Sequence, residues 1–302
     1  MKHRKIVSTA EKIHSVQTAK GVLKDVLLLF KHRLSFTVVL TSIFGYLIAS
    51  GLNIDWSSFL RLFIGGFLVT GAANGMNQIL EKDFDLLMNR TRLRPIPQGR
   101  MKMSEALLYV GLSLLIGIFI LASFNSVTAV LGMIAFVIYS FVYTPLKRYH
   151  TSAVAVGAVP GALPVLIGCT AFDGYISGMA IFLFSIQFLW QFPHFWSIGY
   201  LSYEDYRIAG FRFLPQDGNG GPSTALASNS LVYSFMMLPV IVTYSYFNPF
   251  SLPVGLFLIL LIASYIVFSY QFYTKFDKNS ARSLMFCSFF FMPVFLLILI
   301  LF

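Results

Sequence analysis

The chain reads FLRLFIGGFLVTGAANGMNQIL over residues 59–80, EKDFDLLMNRTRLRPIPQGRMKMS over residues 81–104 and EALLYVGLSLLIGIFILASF over residues 105–124. The outer two runs are apolar and have about the 20 residues that a helix needs to cross a bilayer. Both runs are continuous rather than alternating, so they predict helices and not the strands of a barrel. The middle segment is crowded with charge, which predicts two spanning helices joined by a charged loop.

The composition extends this interpretation to the whole chain. Of the 302 residues, 57% are hydrophobic and 11% are charged, with a mean hydropathy of +0.75. Soluble domains carry about 25% charged residues, so the composition excludes a soluble protein. We predict an all-α polytopic membrane protein, with a cytoplasmic tail at 1–33 and one nine-helix transmembrane domain at 34–302. The nine predicted spans are approximately 34–52, 59–80, 105–124, 126–145, 152–171, 175–200, 223–247, 252–273 and 283–302.

The positive charges predict the orientation of the chain in the bilayer. Of the 22 Lys and Arg residues, all but Arg61 fall in the N-terminal tail or in the loops after spans 2, 4, 6 and 8. Cytoplasmic loops are enriched in Lys and Arg, so the N-terminus is predicted to be cytoplasmic and the C-terminus outside. This distribution also accounts for the formal net charge of +10 without a nucleic acid partner.

The charged segment contains a candidate metal site. Asn77, Glu81 and Asp85 are spaced i, i+4, i+8, which places their side chains on one face of a helix. Carboxylate and amide oxygens suit a hard cation such as Mg²⁺. Acidic residues close to a bilayer are costly and usually functional. The alternative is an ordinary acidic helix end at the membrane surface.

Basic residues follow in two loops on the predicted cytoplasmic side. Arg90 and Arg94 come directly after the acidic face, and Lys147 and Arg148 follow span 4 in the segment YTPLKRYHT, residues 143–151. Guanidinium and ammonium groups bind phosphate oxygens, so metal and basic residues together indicate a lipid-linked diphosphate. The alternative is the basic bias of any cytoplasmic loop.

Span 6 ends in a second polar constellation, WQFPHFWSIGYLSYEDYRIAGFRFLP, residues 190–215. Trp190 and Trp196 flank His194, which indicates a flat pocket for a large planar substrate, with His194 as an iron ligand or an acid–base group. Asp205 lies in the following loop and is a candidate ligand for a second Mg²⁺. The alternative is an aromatic belt with one interfacial histidine.

These segments together carry a resemblance. NxxxExDxD followed by RTRLRP is similar to the first signature of the UbiA-type intramembrane prenyltransferases, and YTPLKR, PHFW and DYRIAG resemble the haem O synthase branch of that family. The nine-span pattern matches over roughly residues 30–302. The chain departs from the family in having Glu81 where Asp is usual, and Ala209 where the wider superfamily often has an acid.

The resemblance implies transfer of a farnesyl group from farnesyl diphosphate to a vinyl group of haem b, with addition of water and with Mg²⁺ as cofactor. It implies Asn77, Glu81, Asp85 and Asp205 as metal ligands, Arg90, Arg94, Lys147 and Arg148 as diphosphate-binding residues, and His194 as the histidine of the haem site. Trp190 and Trp196, which surround His194 in the sequence, are the further candidate haem contacts. The expected location is the inner (cytoplasmic) membrane, surrounded by membrane lipid, with the active site on the cytoplasmic side. A haem A synthase or terminal oxidase assembly is a candidate partner.

Two other interpretations remain open at this point. One is a sister prenyltransferase that acts on another aromatic acceptor, such as a quinone precursor or chlorophyllide. The other is a transporter or lipid-binding membrane protein without catalytic activity.

Overall fold

The computed structural model describes residues 19–301, which are almost entirely helical. No strand is present in this range, and an isolated bridge joins Gln216 to Pro222. The helices are α1 Ala19–Leu29, α2 His32–Ser50, α3 Trp56–Leu80, α4 Lys82–Asp85, α5 Met103–Ala122, α6 Ser126–Leu146, α7 Ala153–Asp173, α8 Gly178–Leu201, α9 Tyr203–Ile208, α10 Ala225–Phe247, α11 Leu252–Lys275 and α12 Lys278–Leu301.

Eight helices of the described chain are long and apolar enough to cross a membrane: α2, α3, α5, α6, α7, α10, α11 and α12. The predicted sixth span, 175–200, corresponds to α8, which has 24 residues but stands outside this set. Gln187, Gln191 and His194 lower its mean hydropathy. The structure therefore supports a polytopic all-α protein with eight apolar spans, and the ninth span stays a prediction.

Helix α7 lies in the middle of the bundle, packed against α2, α6 and α8, with most of its residues buried. Small residues allow this close packing. A Cβ built on Gly168 would lie 1.8 Å from the carbonyl oxygen of Ser42, and one on Gly45 would lie 2.2 Å from that of Val165. Because backbone atoms block both positions, α2 and α7 approach closely only with glycine there.

Two glutamines of α8 satisfy backbone carbonyls of α7. Nε2 of Gln187 donates to the oxygen of Gly161 at 3.0 Å, and Nε2 of Gln191 donates to that of Ala158 at 2.9 Å. Hydrogen bonds of this kind join helices where no water is present. The glutamines that lower the hydropathy of α8 therefore have a structural use inside the bundle.

The polar connections between helices meet at one end of the bundle. The segments that follow α3, α6 and α8 contact one another there: Arg90 donates to the hydroxyl of Tyr206, and the backbone N–H of Arg212 donates to the oxygen of Lys147. The sequence predicts this grouping from charge alone.

Part of the predicted tail belongs to the packed structure. Residues 1–18 lie outside the described range, but α1 packs against α3, where Nε2 of Gln78 donates to the oxygens of Leu28 and Leu29 at 2.9 and 2.8 Å. Arg100 also forms an ion pair with Asp25 at 3.1 Å. This segment therefore closes over the polar end of the bundle, since its buried residues need partners there.

Candidate active site

The three candidate metal ligands lie where α3 ends. The helix stops at Leu80, and Glu81 adopts φ −110° and ψ 10° before the short helix α4. The N–H of Glu81 donates to the oxygen of Asn77, and the N–H of Asp85 donates to that of Glu81, which preserves the helical i, i+4 spacing across the break. The exposed fractions of Asn77, Glu81 and Asp85 are 2%, 2% and 0%.

Each carboxylate is paired with a cation from another part of the chain. Nη1 of Arg94 lies 2.7 and 2.6 Å from the two oxygens of Asp85. Nζ of Lys147 donates to Oε2 of Glu81 at 2.8 Å and lies 2.6 Å from Oε1. The second contact has the distance of an ion pair but not the angle of a hydrogen bond, so Oε1 is a buried oxygen with no hydrogen-bond donor in the described structure. Buried carboxylates need such partners because an isolated buried charge is very costly.

A third cation, Lys31, completes the cluster. Its Nζ donates to Oδ1 of Asn77 at 3.1 Å, and the charges of Arg94, Lys147, Glu81 and Asp85 all act on it. Lys31 is the residue before α2 and has the left-handed conformation φ 45°. Sequence reasoning missed this residue because it assigned residues 1–33 to a tail; the signal was a basic run, KHR, directly before the first apolar segment.

The pKa values at this cluster reflect its burial. Burial, helped by the charges of Arg94 and Lys147, lowers the pKa of Lys31 to about 7. Burial also raises the pKa of Asp85, although the guanidinium of Arg94 opposes the rise. Charge interactions are strong in such an environment, because water screens them poorly.

The other predicted basic residues have different partners. Arg90 is exposed, and its Nη2 donates to the hydroxyl of Tyr206 at 3.2 Å. Nη2 of Arg148 donates to the backbone oxygen of Leu80, and the guanidinium lies 4.1 Å from the centre of the Phe84 ring. Arg148 thus caps the end of α3, which is a structural contact beside the cluster, whereas Lys147 contacts a candidate ligand directly.

Asp205 lies in α9, close in sequence to residues that cover the cluster. Its side chain is partly exposed, and no hydrogen bond or ion pair within residues 19–301 ends on it. The covering residues are aromatic: the ring of Phe211 lies 5.6 Å from that of Phe84 and 5.0 Å from Nζ of Lys147. Among the described residues no group of three or more His, Cys, Asp or Glu could hold a metal ion, so Asp205 does not join Glu81 and Asp85 in one ligand set.

The predicted aromatic site around His194 divides between two faces of α8. The His194 ring stacks on Trp190 with centroids 4.7 Å apart, and its Nδ1 lies 2.7 Å from the hydroxyl of Ser288 on α12. Trp196 is buried elsewhere, 5.5 Å from the ring of Tyr233 on α10. The structure therefore joins Trp190 to His194 and separates Trp196 from both.

The sequence profile of the UbiA prenyltransferase family matches residues 38–292. The chain belongs to the UbiA prenyltransferase family. Its curated relatives include the protoheme IX farnesyltransferase of Cytophaga hutchinsonii, 42% identical over 213 residues that cover 70% of this chain and 74% of the relative. The protoheme IX farnesyltransferase of Flavobacterium johnsoniae is 38% identical over 275 residues, covering 89% of this chain and 91% of the relative.

Solved structures of UbiA-family proteins share the fold. A digeranylgeranylglyceryl phosphate synthase superposes with a TM-score of 0.76 at 20% identity, covering 92% of this chain and 97% of that one. A UbiA homologue from Archaeoglobus fulgidus bound to GPP and Mg²⁺ superposes with a TM-score of 0.64 at 15% identity, covering 91% and 99%. At these identities the likeness establishes the helical architecture.

Proposed function

We propose that this protein transfers the farnesyl group of farnesyl diphosphate to a vinyl group of protohaem IX. The C1–O bond of the diphosphate breaks, C1 bonds to the terminal vinyl carbon, and water adds to the inner vinyl carbon with loss of a proton. The products are haem O and diphosphate. The observation that carries the proposal is the agreement among relatives of 36–42% identity, several covering about 90% of this chain, that are all named protoheme IX farnesyltransferase.

Asn77, Glu81 and Asp85 are the residues that we propose to hold Mg²⁺. Their donor set, one amide oxygen and two carboxylates, has the chemistry of a hard-cation site. Oε1 of Glu81 is buried beside Nζ of Lys147 at 2.6 Å but accepts no hydrogen bond within the described residues, so it is the incompletely satisfied oxygen that we assign to the ion. When bound, Mg²⁺ would supply positive charge to the leaving diphosphate. Asp205 stays a proposed ligand for a separate ion.

Lys31, Arg94 and Lys147 are the proposed diphosphate-binding residues of the chain. Each contacts one of the three candidate ligands and stands in a poorly screened environment. Fixed positive groups aimed at developing negative charge are usually the largest contribution to catalysis. Arg90 and Arg148 stand at the edge of the cluster and would act on the diphosphate from there.

The aromatic residues that lie over the cluster also have a proposed role. The ring of Phe211 contacts those of Phe84 and Tyr206, and we propose that the three rings keep water from the buried acids. An allylic cation reacts readily with water, so exclusion of water protects the transfer reaction. The cover would therefore favour transfer over hydrolysis.

His194 and Trp190 are the proposed haem contacts. The hydrogen bond with Ser288 fixes the His194 ring through Nδ1, which leaves Nε2 as the nitrogen for an iron or for a proton. Trp196 packs inside the bundle, so its proposed contribution to haem binding is indirect.

The proposed setting is the inner membrane, with α8 as a ninth span, the N-terminus in the cytoplasm and the C-terminus outside. The support is the distribution of Lys and Arg, which concentrates at the end of the bundle that carries the cluster. A haem A synthase or terminal oxidase assembly that receives the product remains a proposed partner.

Pigment analysis after co-expression with a supply of farnesyl diphosphate and haem tests the proposal. The wild-type chain should yield a haem of increased mass, and Glu81→Ala or Asp85→Ala should abolish it at unchanged protein level. Asp83→Ala is the matched control, because Asp83 is an exposed acid in the same short helix. Normal product from either buried-acid variant would exclude the metal role, and transfer only to a quinone precursor or chlorophyllide would exclude the haem acceptor.

Removal of divalent ions tests the cofactor. Purified enzyme treated with EDTA should lose activity and recover it on addition of Mg²⁺. Full activity in EDTA would rule out the dependence on Mg²⁺.

A further inference from the structure

A groove lies on the outer surface of the bundle, along the seam between α2 and α3. Its volume is about 580 Å³, within the range of about 300–1,000 Å³ that is usual for sites that bind small molecules. The residues that line it are His32, Arg33, Phe36 and Thr37 of α2 and Phe63 and Phe67 of α3. None of them belongs to the cluster of buried acids, so the groove is separate from the candidate active site.

The walls of the groove are aromatic and offer no free polar group. The rings of Phe36 and Phe63 meet edge to face with centroids 5.9 Å apart, and the rings of Phe63 and Phe67 stack at 6.4 Å. The hydroxyl of Thr37 donates to the backbone oxygen of Leu34 at 2.8 Å, so its hydrogen is already used. Because an unpaired polar group is costly against such a surface, these walls fit a hydrocarbon chain.

The end of the groove at the start of α2 is basic. Arg33 is exposed, and no hydrogen bond or ion pair within residues 19–301 ends on its side chain. Nδ1 of His32 donates to the oxygen of Leu27 at 3.1 Å, since a carbonyl oxygen only accepts. No acidic residue lines the groove. An anion at this end would therefore give Arg33 the partner that the described residues do not provide.

The groove has the depth of one leaflet of a bilayer. Arg33 is two residues after Lys31, whose Nζ contacts Asn77, so Arg33 stands at the polar end of the bundle. Phe67 is ten residues before Asn77 on α3, which places it about 15 Å from that end at 1.5 Å per residue. Half of the hydrocarbon core is also about 15 Å thick. The cation thus lies at the level of lipid headgroups and the phenyl rings at the level of acyl chains.

We propose that this groove binds one anionic phospholipid from the leaflet at the polar end of the bundle. The guanidinium of Arg33 donates to the phosphate oxygens, for which its forked donors are suited. One acyl chain lies along Phe36, Phe63 and Phe67. Basic pockets between spanning helices bind anionic headgroups in this way. A zwitterionic lipid brings a second cation to Arg33 and is therefore held less tightly.

Native mass spectrometry of delipidated full-length protein tests the headgroup contact. With phosphatidylglycerol and phosphatidylcholine of identical acyl chains, the wild type should retain one phosphatidylglycerol in preference to phosphatidylcholine. Arg33→Gln should weaken phosphatidylglycerol binding by about fivefold, the factor that corresponds to about 1 kcal/mol per basic residue near an anionic surface. It should leave phosphatidylcholine binding unchanged.

Arg282→Gln is the matched control for the change of charge. Arg282 is also an exposed arginine near the start of a spanning helix, α12, but it does not line the groove. This variant should keep the wild-type preference for phosphatidylglycerol. Equal lipid preference in the wild type and in Arg33→Gln would overturn the proposal, and so would an equal loss in Arg33→Gln and Arg282→Gln.

A variant that fills the groove tests the site of the acyl chain. Thr37→Trp places a large side chain in the groove from an exposed position, so the fold should be kept. It should remove the retained lipid whatever its headgroup. Leu34→Trp is the control, because Leu34 is an exposed residue of α2 outside the groove. Retention of one phosphatidylglycerol by Thr37→Trp would overturn the proposal.

Two further outcomes would assign the groove to another occupant. Farnesyl diphosphate also joins phosphate to an apolar chain, but its proposed partners Lys31, Arg94 and Lys147 do not line the groove. It should therefore not displace the retained phosphatidylglycerol at equal concentration, and displacement would overturn the proposal. A wild-type dimer that Thr37→Trp dissociates would also overturn it, since a second copy of the chain would then cover the groove.

Discussion

Lys31 Nζ donates a 3.1 Å hydrogen bond to Oδ1 of Asn77, across 46 residues of sequence. This contact brings a cation from outside the apolar domain into the cluster of buried acids. Lys31 lies between α1 and α2, so the packing of α1 over the end of the bundle helps to fix the position of Lys31. The predictions below begin with this residue.

Lys31→Met should reduce prenyl transfer by at least about 100-fold, the usual loss when a group that stabilises developing negative charge is removed. Lys31→Arg should recover part of the activity, because it restores the charge with a different shape. Turnover with radiolabelled farnesyl diphosphate measures both variants. Lys24→Met is the control on α1, where Lys24 is exposed. Equal activity of Lys31→Met and Lys24→Met would contradict the role.

The stability of the protein should depend on pH through Lys31. Its pKa is about 7 in the folded chain, against 10.5 for the ordinary side chain. The unfolded chain therefore binds more protons between these values, so the contribution of this group to the free energy of unfolding rises with pH across that window. Below it, both states are protonated and the full cost of burying the cation is present.

Melting temperatures of the purified protein in detergent check this sign. The melting temperature of Lys31→Met minus that of the wild type should be most positive near about pH 6 and should decrease towards about pH 9. A constant difference, or one that grows with pH, would show that Lys31 does not titrate as the buried site implies.

The pair of Asp85 and Arg94 should be essential for stability as well as for activity. Asp85 is fully buried, and Arg94 is 19% exposed. Arg94→Gln leaves a buried carboxylate without its cation, which typically costs about 3–5 kcal/mol. The double variant Asp85→Asn with Arg94→Gln should recover much of the lost stability and none of the activity. Thermal unfolding and turnover, measured on the same preparations, check both statements; recovery of activity in the double variant would refute the catalytic role of the pair.

Two adjacent basic residues should respond differently to the same substitution. Lys147→Gln removes the cation beside Glu81 and should lower turnover by about 100-fold or more. Arg148→Gln removes the hydrogen bond to the Leu80 carbonyl at the edge of the cluster. It should lower turnover less than Lys147→Gln and also lower the melting temperature, because a hydrogen bond from a charged group is typically worth about 1.5–3 kcal/mol. Turnover and melting temperature, measured for both variants, separate the two roles. A larger loss of turnover in Arg148→Gln than in Lys147→Gln would contradict this assignment.

The spanning helices and the polar face of Asn77, Glu81 and Asp85 could be predicted because they depend on residues that are close together in the sequence. A spanning helix satisfies its own backbone within one run of apolar residues, so its existence depends on neighbours in sequence. The i, i+4, i+8 spacing is local in the same way, and the structure keeps it even though α3 ends at Leu80. Helix α8 was predicted as a span but falls outside the set of eight apolar helices, because it carries glutamines that bond to α7.

The all-α membrane class, the apolar spans and the family could be read from the sequence, because each depends on contiguous residues. The pairing of each cation with its acid became visible only in the folded chain. Lys31 contacts Asn77 across 46 residues of sequence, and Lys147 contacts Glu81 across 66. No local sequence pattern specifies contacts between residues so far apart in the chain. The folded structure also places Trp196 apart from His194, because a helix directs residues two positions apart to different faces.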